Sequence, residues 1–359
     1  MRETKAAVVF FCLLLVSCPL VYADRGMISV SPDVSIYEPG QKAIIAWNGH
    51  KEILILSTDV SASRETLVLE ILPLPSKPVV EAASFQSFEE IREMIFAFRG
   101  RFLFSYGEQG AQSGGVEILF HEQIGAHNIT VVSATESAAL LELANGFLST
   151  SGVNHNVTLQ GFQETIQNYL SRGFKCYALD LITFSSQEKS IEPILYKFDS
   201  SMLYYPLVIT SPVGGSGNIT LFTLTKEKLD EHALSAEHAP LGLAYYKMSN
   251  GQSQFIQFKL PTDELVRIDL RLNDLLPDGA WLSVVKMEGN LASLDQDLVL
   301  TERDFDYDGP VNIIFTLPLS SEELGFILAT LLIGTLLALG GFAFSFFMIR
   351  QNRKKSARG

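Results

Sequence analysis

The densest run of chemistry-bearing side chains is Asp304-Phe305-Asp306-Tyr307-Asp308-Gly309, in which three carboxylates alternate with aromatic residues and a glycine closes the series. A hard cation needs several oxygens converging on one point, and a glycine lets the backbone bend around it, so this run resembles the start of a calcium loop. Asp304, Asp306 and Asp308 are therefore the candidate calcium ligands, with Glu302 as a further oxygen donor. The twelfth position of such a loop falls on Phe315, where a bidentate Glu belongs, and no long helical pattern flanks it. A solvated acidic turn is the competing reading, and the expectation is a protein without a resident cofactor.

Histidines and nucleophiles give weaker patterns. Glu231-His232 and Glu237-His238 pair an acid with an imidazole, but a spacing of six does not place both rings on one helical face as a spacing of four would. They read as a polar linker. His50, His121, His127 and His155 are scattered and read as ordinary loop or strand-end residues. Cys176 lies in the most apolar of the expected strands, where desolvation disfavours the thiolate, so it reads as a small buried hydrophobe. Ser216 sits in Gly214-Gly215-Ser216-Gly217-Asn218, but a nucleophile elbow requires Gly two residues after the serine and a helix beyond it. Here Asn218 and an extended run follow. No catalytic or cofactor-binding residue is assigned, and phosphate-cradling glycine motifs are absent.

The elements that would position these residues are mixed. Ala43–Trp47 and Glu52–Thr58 flank Asn48-Gly49, the pattern of a hairpin, and Thr66–Leu72 reads as a third strand. It runs into Pro73-Leu74-Pro75-Ser76-Lys77-Pro78, where fixed φ and missing amide donors predict an extended crossing. Ser87 with Glu90 predicts a capped helix from 87 to 101, with Phe88, Ile91, Ile95 and Phe98 at helical spacing. Further helices are expected over 137–148 and 162–170. Strands are expected over 116–121, 128–133, 174–184, 194–198, 203–210 and 218–225, and then 241–247, 254–260, 265–272, 281–286 and 311–316. The unbroken apolar run at 174–184 predicts a central strand buried on both faces. Helices inserted among antiparallel strands argue for an α+β fold of largely antiparallel sheets with about three helices, rather than regular βαβ alternation.

Two apolar segments predict where the protein lives. Ala6–Leu20, behind Arg2 and Lys5 and followed by Val21-Tyr22-Ala23, reads as a signal peptide over 1–23. Leu324–Ile349 carries no charge and, at roughly 1.5 Å per residue, is long enough to cross a hydrocarbon core of about 30 Å. With Glu322 and Glu323 before it and Arg350, Arg353, Lys354, Lys355 and Arg358 after it, residues 323–349 read as a transmembrane helix with the basic 350–359 tail in the cytoplasm. The body faces outside, divided into an α+β part over 24–225 and a β-rich part over 226–322. That body retains 20 basic and 39 acidic residues, a net charge of −19. Such acidity repels phosphate backbones and excludes nucleic acid as a partner. Thr330, Gly334, Ala338, Gly341 and Ser345 line one stripe of the apolar segment, along which a partner helix could pack.

Cys12 and Cys18 fall within the signal, so the processed body holds Cys176 alone and no internal disulfide, a pattern that points to a bacterial or archaeal envelope. The sequence Leu15-Val16-Ser17-Cys18 also resembles a lipoprotein cleavage box. Asn128-Ile129-Thr130, Asn156-Val157-Thr158 and Asn218-Ile219-Thr220 are glycosylation sequons if the host carries the machinery.

Several phrases in order resemble an uncharacterised family of exported prokaryotic proteins, domain of unknown function 2330. They are Gly40–Trp47 leading to Ile53–Ser57, Leu72–Pro78, Ala134 to Asn145-Gly146-Phe147, Tyr169–Phe174, Tyr205–Thr210 and Trp281–Lys286. The resemblance spans about 26–307 and implies an extracytoplasmic domain without a known activity. The leading expectation is a non-enzymatic, membrane-anchored surface protein that binds a surface polymer, an envelope protein or a soluble ligand. The alternatives are an envelope hydrolase whose residues converge only in the fold, and an accessory subunit of a membrane complex joined through Gly334, Ala338 and Gly341.

Overall fold

The computed structural model describes residues 27–306 except 31–35, 38–39, 59–60, 63–64, 101–120, 154–159, 185–190, 235–240 and 248–251. Strands β1 (Ile28–Ser29), β2 (Gln41–Trp47), β3 (Lys51–Thr58), β4 (Thr66–Leu74) and β5 (Val79–Ala82) lead to helix α1 (Phe85–Gly100). Next come β6 (His121–Ile124), β7 (His127–Ser133), α2 (Ser137–Thr150), α3 (Gln160–Ser171), β8 (Cys176–Phe184), β9 (Ile191–Asp199) and β10 (Ser216–Thr225). The chain continues through β11 (Gly242–Leu243), β12 (Gln257–Leu260), α4 (Thr262–Ile268), α5 (Leu270–Leu275) and β13 (Ala280–Asn290).

The strands form a five-stranded antiparallel sheet, β1-β4-β8-β7-β6, and an eight-stranded sheet, β11-β13-β10-β2-β3-β9-β5, in which β12 also pairs with β13. The pair β10–β2 is parallel and its neighbours are antiparallel. Side chains alternate across a strand, so each sheet has two faces to cover. Leu72, Leu74, Ala178 and Ile129 of the smaller sheet pack against Ala43, Ile45, Leu54, Leu56, Tyr196, Leu221 and Val285 of the larger one. The opposite face of the smaller sheet, through Leu69, Ile71, Tyr177 and Leu179, buries Leu140, Leu141 and Ala144 of α2 and Ile166 and Tyr169 of α3. The opposite face of the larger sheet, through Ile44, Ala46, Ile53, Ile55 and Leu282, buries Ile91 of α1, Leu265 and Ile268 of α4, and Leu272 and Leu275 of α5. The result is four layers, helix, sheet, sheet, helix.

The α+β class and the mostly antiparallel pairing match the expectation, and β8 is the central strand buried on both faces. Helix α2, expected over 137–148, buries Leu140, Leu141, Ala144 and Leu148 along one face. The described residues hold five helices rather than three. The difference lies at 265–272, expected as a strand because apolar and charged residues alternate there. Leu265, Ile268, Leu272 and Leu275 also recur at helical spacing, and the structure buries these while leaving Leu270 60% exposed. Residues 203–210 are likewise strand only over Leu203–Tyr205 and then a 3-10 turn, Val208–Val213, whose first amides are taken by side chains described below.

Strand β4 runs through Pro73 to Leu74 instead of stopping at Leu72. Beyond Leu69 it has a strand neighbour on one side only, which tolerates proline. Ser87 does not cap α1. Ser84 does, its Oγ accepting from Gln86 N at 3.2 Å, while Ser87 Oγ donates to Ile268 O at 2.8 Å and ties α1 to α4. Strands from both sides of residue 225 share the larger sheet. The described residues contain no helix long and apolar enough to cross a membrane, and the predicted signal and Leu324–Ile349 lie outside them.

Candidate functional site

The strand ladders bring two acids and a histidine together inside the sandwich. Glu70 of β4 stands directly opposite Asp180 of β8, and His127 opens β7, the other neighbour of β8, immediately after the Gly125-Ala126 turn. All three are buried. His127 Nδ1 lies 2.5 Å from Asp180 Oδ2, and Nε2 lies 2.9 Å from the carbonyl oxygen of Glu192 in β9, which belongs to the other sheet. The Glu192 carbonyl can only accept, so Nε2 donates, and opposite a carboxylate in its charged form Nδ1 donates as well and the ring is an imidazolium. Burial acts to lower the His127 pKa, but the charge of Asp180 and its hydrogen bond, then Glu70 and the Glu192 carbonyl, outweigh it and the net shift is upward. With both nitrogens occupied, this ring has no free lone pair with which to act as a general base.

A second cluster anchors the 3-10 turn. Asp297, with a fully buried side chain, accepts from Tyr169 Oη at 2.6 Å, from Arg172 at 2.5 Å and from Val208 N at 2.9 Å. Tyr169 Oη in turn accepts from Ile209 N at 3.1 Å, so one carboxylate and one phenol satisfy the leading amides of the turn. The Arg172 guanidinium stacks over Tyr169 and Phe174, 4.4 and 5.1 Å from their ring centres. Burial, then the charge of Asp297, push the Tyr169 hydroxyl well above the usual range, which keeps it a neutral donor.

A further buried acid, Glu52 in β3, stands apart from both clusters. Its Oε2 accepts from Tyr204 N at 2.7 Å, and its Oε1 has no hydrogen-bond partner among the described residues. Burial drives its pKa well above the usual carboxylate range, against the smaller pull of the Tyr204 amide. With no cation beside it, burial favours the protonated, neutral form of the side chain.

The candidates singled out from sequence do not converge with these groups. Asp304 Oδ2 accepts from Thr301 N at 2.6 Å and from Thr301 Oγ at 3.0 Å, which makes it the closing residue of a 3-10 capping box. Asp306 pairs across a short ladder with Lys228, their charged ends 3.8 Å apart, and Asp308 lies outside the described residues. Among the described residues no three His, Cys, Asp or Glu side chains are placed to hold a metal ion. Glu231 sits 3.6 Å from Lys228, and Glu237, His238 and His155 lie outside the described residues, as does the Gly334, Ala338, Gly341 stripe. His50 is exposed in the β2–β3 turn, His121 belongs to β6, and Ser216 opens β10. Cys176 is half-buried at the start of β8, its thiol pushed up by burial.

The buried residues were missed because none belongs to a local motif. His127, Asp180 and Glu70 are separated by 53 and 110 positions and meet only through strand pairing. The available signal was an acid at the centre of an apolar strand, Asp180 in Ala178-Leu179-Asp180-Leu181-Ile182, since a charge in such a setting requires a partner.

Three solved structures of one protein show low similarity to this chain. The crystal structure of baculovirus P35 matches with a TM-score of 0.39 at 9% identity, covering 77% of this chain and 98% of that one. A mutated baculovirus P35 after caspase cleavage gives 0.37 at 8% identity over 73% of this chain and 99% of the other. The caspase-8/P35 complex gives 0.35 at 9%, over 73% and 96%. These scores carry no inference about fold or activity. No curated protein matches the chain. The family model for an uncharacterized protein conserved in bacteria, DUF2330, matches residues 21–275, which covers most of the strands of both sheets, and the chain belongs to that family.

Proposed function

We propose that this protein is a non-enzymatic binding module of the bacterial envelope, anchored by its C-terminal apolar segment with the acidic body outside the membrane. The observation that carries the reading is that the buried ionisable groups His127 and Asp297 spend their hydrogen bonds on neighbouring side chains and on the backbone. His127 is engaged at both ring nitrogens, and both oxygens of Asp297 are bonded. Groups held in this way brace a scaffold and are not poised to attack a substrate. The membrane anchor and outward topology follow from Leu324–Ile349 and the basic residues after it. The acidic body favours partners that are neutral or basic, such as an uncharged wall polysaccharide or a basic envelope protein.

The test is co-sedimentation of the full-length protein, in mild detergent, with purified cell-wall polymer, followed by mass spectrometry of the soluble phase. Saturable retention with an unchanged polymer supports binding without turnover. Release of polymer fragments at a rate proportional to protein concentration would make it a hydrolase instead.

A further inference from the structure

We propose that His127 is a proton-operated latch between the two sheets: as an imidazolium it is bonded to both, and as a neutral imidazole it can hold only one. The geometry is specific. The ring leaves the first residue of β7 in the five-stranded sheet, bonds Asp180 of β8 within that sheet through Nδ1, and crosses to Glu192 O of β9 in the eight-stranded sheet through Nε2. The side chain is 2% exposed, so water does not stand in for either bond.

A neutral imidazole has one N–H. The surviving hydrogen stays with Asp180, because a bond to a charged acceptor is the stronger of the two. Nε2 then presents a lone pair to the Glu192 carbonyl oxygen, two acceptors face to face, and the inter-sheet bond is lost.

The charges facing the ring set the direction of the switch. Asp180 from β8 and Glu70 from β4 both retain the proton, and from β9 the ring meets the Glu192 carbonyl, also an acceptor. The latch is therefore closed while the ring holds its proton and opens as pH rises through a pKa shifted upward from the ordinary histidine value. What it releases is an edge. Strands β7 and β6 form the outer hairpin of the five-stranded sheet. Ala126, next to His127, packs on a small apolar cluster of Met27, Val68, Ile182, Phe184 and Ile191 that opening would uncover. This inference does not depend on what the protein binds.

The experiment uses the full-length chain in mild detergent. Nitrogen-15 NMR of histidine-labelled protein from pH 6 to 10 should show both ring nitrogens of His127 protonated at pH 7, with titration above the usual histidine value of about 6.5. Hydrogen exchange followed by mass spectrometry over the same range should show amides of 127–133 and 191–194 losing about tenfold in protection as that proton leaves, the equivalent of one hydrogen bond. The Leu203–Tyr205 and Leu298–Leu300 ladder serves as the reference. His127→Gln should abolish this pH-dependent difference. A ring that is neutral at pH 7, protection that does not change through the titration, or the same pH dependence in His127→Gln would overturn the proposal. If the variant does not fold, the two wild-type measurements decide it.

Discussion

A carboxylic acid buried without a cation resists ionisation in the folded protein but not in the unfolded chain, and Glu52 is in that position. Its folded pKa is raised, so its contribution to stability is complete below about pH 4.5 and declines as pH rises toward the folded value, by about 1.4 kcal/mol per pH unit. Glu52→Gln cannot ionise. Urea midpoints measured from pH 4 to 8 should therefore fall more steeply for wild type than for the variant, and parallel curves would mean that Glu52 is ionised in the native state.

Asp297 poses the opposite case, a buried carboxylate compensated by a guanidinium that is one-third exposed. Arg172→Met strands a wholly buried charge and should cost about 3 kcal/mol. Asp297→Asn strands a cation that water still reaches, and should cost less. Chemical denaturation of both variants gives the order, and the reverse order would place the stabilising role in the Asp297 acceptor geometry instead of its charge.

At the scale of elements, the connection from α5 to β13 depends on close backbone approach. Gly279 has φ of +87°, and a Cβ there would lie 2.6 Å from the carbonyl oxygen of Leu260 in β12. Gly173, between α3 and β8, has φ of +93° but open space around a Cβ. Gly173→Ala should cost about 1 kcal/mol, from backbone strain alone, whereas Gly279→Ala adds a clash with fixed backbone and should cost more than 2 kcal/mol. Thermal melts of the two variants separate these contributions.

The helices explain why some elements were readable and others were not. In α2, Leu140, Leu141, Ala144 and Leu148 form one buried stripe at helical spacing while Leu143 faces outward, so periodicity and burial agree. In α4 and α5, the run Leu265-Val266-Arg267-Ile268-Asp269-Leu270-Arg271-Leu272 satisfies both a period of two and a helical period. Packing against α1 resolves the ambiguity. Arg267 pairs with Glu90 of α1, Ser87 of α1 binds Ile268 O, and Arg271 is held by Asp269 and Glu81. Asp269 is local, but Glu90, Ser87 and Glu81 lie 177, 181 and 190 positions earlier in the chain, beyond any local window.

For the whole molecule, the position of β13 makes the two halves of the chain interdependent. It pairs with β10 along ten residues and carries β11 and β12 on its other side, so a chain ending at residue 225 would leave β10 without its antiparallel neighbour and α1 without α4 and α5. Such a truncation should lack dispersed amide resonances and a cooperative melt. A cooperative transition in the truncated chain would show that the N-terminal 225 residues form an independent domain. The sequence by itself determined the class of fold, the hairpin at Asn48-Gly49, the central strand expected over 174–184 and the amphipathic helices expected over 137–148 and 162–170, to within two residues at each end, because each rests on contacts or periodicities within a few residues. It also carried the family resemblance, since that resides in these fold-making phrases. Only the tertiary structure decided which polar residues matter. An acid in an apolar strand declares that it needs a partner, but His127 and Glu70 reach Asp180 through two ladders, and the Glu192 carbonyl meets His127 across a sheet-to-sheet seam. Burial strengthens an electrostatic pairing only after the whole sandwich has excluded water from it.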